Sequence, residues 1–93
     1  MEIKKTRETD ELMKDTEAFL LLFKIAYHTK TNKDFTIPDC PIGWAFITAE
    51  IVGLTQSVFR KNKNKLVKWG FIEVKTTNKG TFARVTTDKF FII

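Results

Sequence analysis

The sequence predicts an α+β fold that is mostly helical. Two stretches, one ending near Tyr27 and one between Gly53 and Gly70, carry apolar residues at helical intervals. Two alternating segments, FIEVKTT and TFARVTT, meet at the turn residues TNKGT and predict a β-hairpin. With 93 residues, of which 43% are apolar, the chain is long enough for one compact core. We therefore expect residues 1–93 to form a single domain.

The N-terminal third predicts one helix. The first ten residues, MEIKKTRETD, show no helical stripe, so we expect residues 1–10 to be a loose arm. Either Asp10 caps one long helix, or Asp15 or Thr16 caps a shorter one, and a helix from near Thr16 to near Thr29 is favoured. The polar segment TKTNKD follows as a loop. The apolar stripe consists of Leu12, Phe19, Leu22, Phe23 and Ala26.

The middle of the chain allows two interpretations. FTIP alternates but stops at Pro38, so it is at most a short edge strand. Asp39 followed by Pro41 is typical of a helix N-terminus, which favours a second helix reaching Gly53. The alternative is a strand over GWAFIT, because the same residues nearly alternate. The stripe of the favoured helix would be Ile42, Phe46, Ala49 and Gly53.

A third helix is predicted between Gly53 and Gly70, with Thr55 as its N-cap. Its inner face would hold four residues at intervals of three, four and three, namely Phe59, Asn62, Leu66 and Trp69. Asn62 is the polar residue on this face. Its outer face would hold Gln56, Ser57, Arg60, Lys61, Asn64 and Lys68. The predicted hairpin follows this helix directly.

The positive charge is concentrated in the same region. Residues 1–34 contain seven basic and seven acidic side chains, whereas the remainder contains nine basic and four acidic ones, which accounts for the net charge of +5. Residues 60–68 include five lysines and arginines and no acidic residue. Such a local excess favours an anionic partner at this part of the chain.

Two helices separated by a tight glycine-containing turn, with a cationic second helix, form a helix-turn-helix arrangement, and the trailing hairpin makes it winged. The predicted fold thus has three helices, a short strand and a two-stranded β-hairpin wing. A helix fits the major groove of double-stranded DNA, where arginine and amide side chains can contact base edges and lysines can neutralise phosphates.

The stretch from Gly53 to Ile72 resembles the GLS-x-S-T-V-x-R…NKL…LGLIE pattern of winged-helix domains at the N-termini of phage replisome organisers and DnaD-like replication proteins. The hairpin VKTTNKGTFARVTT is similar to the wing of those proteins, and DTEAFLLLFKIAY is similar to their first helix. The resemblance covers roughly residues 16–88. Between Gly53 and Glu73, the residues that match the pattern of this family are Gly53, Leu54, Thr55, Ser57, Phe59, Asn64, Lys65, Leu66, Gly70, Ile72 and Glu73.

The resemblance implies DNA binding in phage replication initiation or in transcription regulation, since MarR-like and other regulators share the scaffold. Phe59 and Trp69 are bulkier than the residues usual in the family. The sequence ends at Ile93, whereas replisome organisers continue into a partner-binding domain, so recruitment of a helicase or loader is not expected.

The predicted DNA contacts fall into three groups. Gln56, Arg60 and Asn64 would lie nearest the base edges, and the flanking Lys63 and Lys65 would meet phosphates or solvent. The hydroxyls of Thr55 and Ser57 could meet a phosphate at the helix N-terminus, although capping alone explains Thr55. Lys61 and Lys68 would contact phosphates. Lys75, Lys79 and Arg84 of the wing would contact phosphates or the minor groove, and the alternative for these three is turn solubility and protection of the edge strand.

Nothing in the sequence indicates an enzyme, a cofactor or a metal site. His28 lacks companion residues for catalysis or metal binding and fits a helix C-terminus. Cys40 is the single cysteine, which predicts a buried thiol and a reducing compartment. No apolar run approaches the length of a membrane span, and we expect a cytoplasmic protein.

Two interpretations of the partner remain open. Besides double-stranded DNA, the chain could bind another protein, as an adaptor or inhibitor that uses the winged-helix scaffold. The C-terminal residues Phe90-Phe91-Ile92-Ile93 could pack on the first helix as a closing strand or form half of a homodimer interface.

Overall fold

The computed structural model of the chain describes residues 2–29, 40–78 and 80–92. These residues form a compact α+β fold with four helices and two small antiparallel sheets, so the predicted fold class is confirmed at that level. The elements are β1 (Glu2–Ile3), α1 (Arg7–Met13), α2 (Thr16–Tyr27), β2 (Ala45–Ile47), α3 (Ala49–Val52), α4 (Gln56–Lys68), β3 (Ile72–Thr77), β4 (Gly80–Val85) and β5 (Phe91–Ile92).

The larger sheet has the strand order β2-β4-β3, with β4 antiparallel to both neighbours. In this register Ala83 of β4 lies between Ala45 of β2 and Val74 of β3. The second sheet joins the two ends of the described chain, since β1 pairs antiparallel with β5. Helices α2 and α4 pack against each other, and the apolar residues between them and the larger sheet form the core.

The N-terminal segment is ordered, so the expectation of a loose arm over residues 1–10 is wrong for the residues that the structure describes. Thr6 caps α1 by accepting a hydrogen bond from the Thr9 backbone amide at 3.1 Å. The Lys4 amide donates to the carbonyl of Phe90 at 2.7 Å. This segment is held by the distant C-terminus, a contact that helical periodicity does not reveal. The start of α2 at Thr16, capped by Asp15, is confirmed.

The favoured second helix is also wrong over most of its length. Residues Ala45–Ile47 form strand β2, which confirms the strand alternative over GWAFIT. The strand forms because all three of its residues pair with β4. Only Ala49–Val52 is helical, with Thr48 rather than Asp39 as the N-cap. Asp39 and the FTIP segment lie outside the described residues.

The third predicted helix is α4, and it begins and ends as expected. Thr55 is its N-cap, and Gly53, which ends α3, has the left-handed conformation (φ 73°) that glycine adopts without strain. The prediction that Trp69 lies on the inner face of α4 is wrong. Trp69 is the C-cap of α4 and is 42% exposed, because the aromatic ring that packs on the core at this end of α4 is that of Phe71. The hairpin β3–β4 is confirmed.

The C-terminal aromatic residues pack within the chain. Phe90 and Phe91 are buried, and the ring of Phe91 lies 6.3 and 6.1 Å from the rings of Phe19 and Phe23 in α2. The closing-strand interpretation is therefore confirmed for these residues, while Ile92 remains half-exposed. Cys40 is buried, as expected, and its thiol lies 3.3 Å from the Trp44 carbonyl oxygen.

Candidate nucleic-acid interface

Helix α4 is anchored through one face. Phe59, Asn62 and Leu66 are buried there, and the Thr55 hydroxyl accepts a hydrogen bond from the Val58 amide at 3.3 Å at the helix start. At the other end the amide of Phe71 donates to the Leu66 carbonyl at 3.0 Å, which closes the helix. Because both ends and the inner face are fixed, the orientation of the outer face is set by the core.

The outer face of α4 is exposed and carries no acidic residue. We call it the basic face and define it as Gln56, Ser57, Arg60, Lys61, Asn64 and Lys68, all of which are exposed together with the N-cap Thr55. Within residues 2–29, 40–78 and 80–92, no acidic side chain forms an ion pair with Arg60, Lys61 or Lys68. The structure therefore brings these predicted site residues together. Lys61 lies close enough to Asp15 to help lower the pKa of that carboxyl, although the two form no ion pair.

Lys65 belongs to a different environment. Its ammonium forms an ion pair with Asp15, the N-cap of α2, and it lies 5.7 Å from the centre of the Trp69 ring. The hydrogen bond from Lys65 holds the pKa of the Asp15 carboxyl below its ordinary value of 3.8, and burial opposes this shift only in part. Lys65 thus links α4 to α2, and much of its charge is neutralised within the chain.

The hairpin contributes less free charge than the sequence suggests. Arg84 on β4 donates to the Glu73 carboxylate on β3 through its Nε at 3.0 Å and a terminal nitrogen at 2.7 Å. Its guanidinium also lies 5.4 Å from the centre of the Trp44 ring. Lys75 on β3 is exposed, and Lys79 lies outside the described residues.

A cleft separates the N-terminal half of α4 from the start of β4. It has a volume of about 190 Å³, and Gln56, Arg60 and Lys63 lie on its α4 side. Lys63 is half-buried, with its ammonium 5.5 Å from the centre of the Phe59 ring. Thr48 and Thr81 also line this cleft. The pairing of β2 with β4, which places Thr81 opposite Ile47, brings these two distant residues together, and residue spacing does not reveal it.

Across the described ranges, no three histidine, cysteine or acidic side chains are grouped so that they could hold a metal ion. His28 is the C-cap of α2, where its ring lies edge-on to Tyr27 at 5.1 Å. None of the described helices has the length and apolar character needed to cross a membrane.

Comparison of this chain with models of protein families, with curated proteins and with solved structures gives no match. Any assignment of function therefore depends on the geometry and charge of the basic face and its surroundings.

Proposed function

We propose that this chain is a winged helix-turn-helix module that binds double-stranded DNA. The order α2, β2, α3, α4, β3, β4 and the strand order β2-β4-β3 support this proposal. In that arrangement α3 and α4 are the two helices of the helix-turn-helix, joined by the turn at Gly53, and the hairpin β3–β4 is the wing.

The observation that carries the proposal is the basic face. Its cations are exposed, lie on a helix of 13 residues, and form no ion pair with an acidic side chain among the described residues. Helices with purely solvated charged faces usually carry compensating acids three or four residues away, and α4 has none. A helix with this face fits the major groove, where phosphates on both sides can supply the missing negative charge.

The side chains divide by chemistry and position. Arg60, Asn64 and Gln56 can form paired hydrogen bonds with guanine or adenine edges, while Lys61 and Lys68 neutralise phosphates. Lys75 on the wing would contact the backbone beside the groove. A module of this kind would act in transcription regulation or in replication-origin recognition of a phage or other mobile element.

The test is a fluorescence anisotropy titration of labelled duplex DNA over a series of salt concentrations. The logarithm of affinity should fall with the logarithm of salt with a slope of about −0.9 for each phosphate neutralised. Arg60→Ala should weaken binding, and Lys61→Ala should reduce the magnitude of the slope by about one. The matched control is Lys5→Ala, which removes an exposed lysine between β1 and α1 and should leave the slope unchanged.

The competing hypothesis, a protein-binding adaptor or inhibitor, makes the opposite prediction. If the chain does not bind duplex DNA even at low salt, the DNA proposal is wrong and the adaptor hypothesis replaces it. If Lys5→Ala and Lys61→Ala reduce the slope equally, binding reflects net charge only, and the assignment of α4 as the contact helix fails.

A further inference from the structure

A second surface lies between α1 and the segment that follows the C-terminal end of α4. We call it the flank groove; it has a volume of about 490 Å³ and is lined by Arg7, Glu8, Glu11, Leu12, Asp15, Trp69 and Phe71. It adjoins a shallower depression that shares Glu11, Asp15 and Trp69 and adds Glu17. The cleft next to the wing is lined by other residues, so the flank groove is a separate surface.

The floor of the flank groove is apolar and firmly held. Leu12 belongs to the core, and the Phe71 ring packs edge-on against the buried Phe90 ring at 4.8 Å. The rings of Trp69 and Phe71 lie 6.0 Å apart at an angle of 58°, and the amide of Trp69 donates to the Lys65 carbonyl at 2.9 Å. An exposed indole on a rigid platform is typical of a binding anchor in protein interfaces.

The rim of the groove is acidic. The groove and the adjoining depression are lined by four carboxylates, Glu8, Glu11, Asp15 and Glu17, and by two cations, Arg7 and Lys14. Glu11 pairs with Lys14 at 3.5 Å and Asp15 pairs with Lys65, whereas Glu8 and Glu17 form no ion pair with any residue in the described ranges. This excess of negative charge disfavours nucleic acid at the groove and favours a cationic ligand.

The chain itself shows that the indole accepts a cation. The ammonium of Lys65 lies 5.7 Å from the centre of the Trp69 ring, a distance typical of cation–π contacts. A guanidinium or ammonium group in the groove would meet aromatic rings and carboxylates together, and an adjacent apolar side chain would cover Leu12 and Phe71.

We propose that the flank groove binds a segment of a protein partner that carries arginine or lysine beside a bulky apolar side chain. The occupant is set by the acidic rim and the apolar floor. The proposal does not rest on DNA binding, because the two surfaces share none of their assigned residues. A chain with both surfaces could hold a basic protein segment while the basic face is occupied.

The test uses the two tryptophans as reporters in an NMR titration. Trp69 lies in the groove, whereas Trp44 lies beside Arg84 on the larger sheet. A capped amphipathic peptide of leucine and arginine should shift the indole N–H signal of Trp69 and leave that of Trp44 unchanged. A matched peptide of leucine and glutamate should shift neither signal.

Substitutions in α1 separate charge from folding. The double variant Glu8→Gln with Glu11→Gln should weaken peptide binding at least about tenfold, since both rim charges are removed. Asp10→Asn removes a carboxylate from the same helix outside the groove and should leave binding unchanged. An unchanged Trp44 signal and helical circular dichroism spectrum confirm that each variant is folded.

Three outcomes would overturn the proposal. One is the absence of any Trp69 shift with the arginine peptide, and another is equal binding of the glutamate peptide. The third is self-association of the protein alone, seen by sedimentation and abolished by Trp69→Ala, which would make a second copy the occupant. Duplex DNA titrations on the same variants report on the basic face separately.

Discussion

Asn62 provides a direct test of how α4 is seated. It is fully buried on the inner face of the helix, and its Nδ2 donates to the Val58 carbonyl at 2.8 Å. Its Oδ1 accepts no hydrogen bond from any described residue. A buried carbonyl without a donor costs about 1–3 kcal/mol, so the wild-type residue should be less favourable than an apolar one of similar shape.

The substitution Asn62→Leu follows from these contacts. Removing the unsatisfied Oδ1 and burying the leucine methyl groups should together gain about 2–4 kcal/mol. Loss of the Nδ2 hydrogen bond and the extra volume in a packed core should cost about 1–3 kcal/mol. We therefore expect the free energy of unfolding to increase by about 1 kcal/mol, and the melting temperature to rise by about 4–8 °C.

Urea denaturation followed by circular dichroism measures this difference, provided that unfolding is two-state. The matched control is Asn64→Leu on the exposed basic face, which should change stability by less than about 0.5 kcal/mol. Asn62→Asp should destabilise the fold by several kcal/mol at neutral pH, because it buries a charge. If Asn62→Leu is destabilising while Asn64→Leu is neutral, Oδ1 has a donor in solution and the reasoning fails.

Three further predictions concern the ion pair and the hairpin. Because its pKa is lowered in the folded state, Asp15 stabilises the fold above its unfolded pKa, and this contribution is lost as the pH falls below about 5. Urea titrations at several pH values should therefore show that the stability of Asp15→Asn depends less on acid pH than that of the wild type. An unaltered pH dependence would contradict this role of Asp15. If the chain binds DNA, Lys65→Gln should change the dependence of affinity on salt less than Lys61→Gln does, since Asp15 forms an ion pair with Lys65. Equal changes in anisotropy titrations would mean that Lys65 contacts the DNA. Gly80→Ala should lower the stability measured by thermal unfolding by about 2–4 kcal/mol, because the φ of Gly80 is 143° and a Cβ would lie 2.6 Å from the Phe46 ring. Phe46→Ala in the same chain should restore part of this stability. If it restores none, the strain lies in the backbone alone.

The candidate site shows which features of a surface can be predicted from residue spacing. The basic face follows from helical periodicity, so the sequence alone assigns Arg60, Lys61 and Asn64 to one exposed surface. The same pattern could not show that Lys65 pairs with Asp15 or that Arg84 pairs with Glu73. These partners are separated by 50 and 11 residues, and whether a cation is free depends on such distant contacts.

Trp69 illustrates a similar limit. Its spacing from Phe59 and Leu66 places it on the inner face of an ideal helix, yet α4 ends at Lys68 and the indole is half-exposed. Phe71 packs against Phe90 at this end of the helix. Trp69 and Phe71 line the flank groove together with residues of α1, and residue spacing within α4 contains no information about that contact.

The sequence by itself determined α2, α4 and the hairpin, because their signals are local: N-caps at Asp15 and Thr55, helical periodicity, and alternation around a turn. Only the tertiary structure decided that Ala45–Ile47 is a strand and that the N-terminal segment is ordered. The physical reason is common to both. Each segment is stabilised by backbone pairing with residues far along the chain, β2 with β4 and β1 with β5, and such pairing outweighs the weak local preference of a short segment.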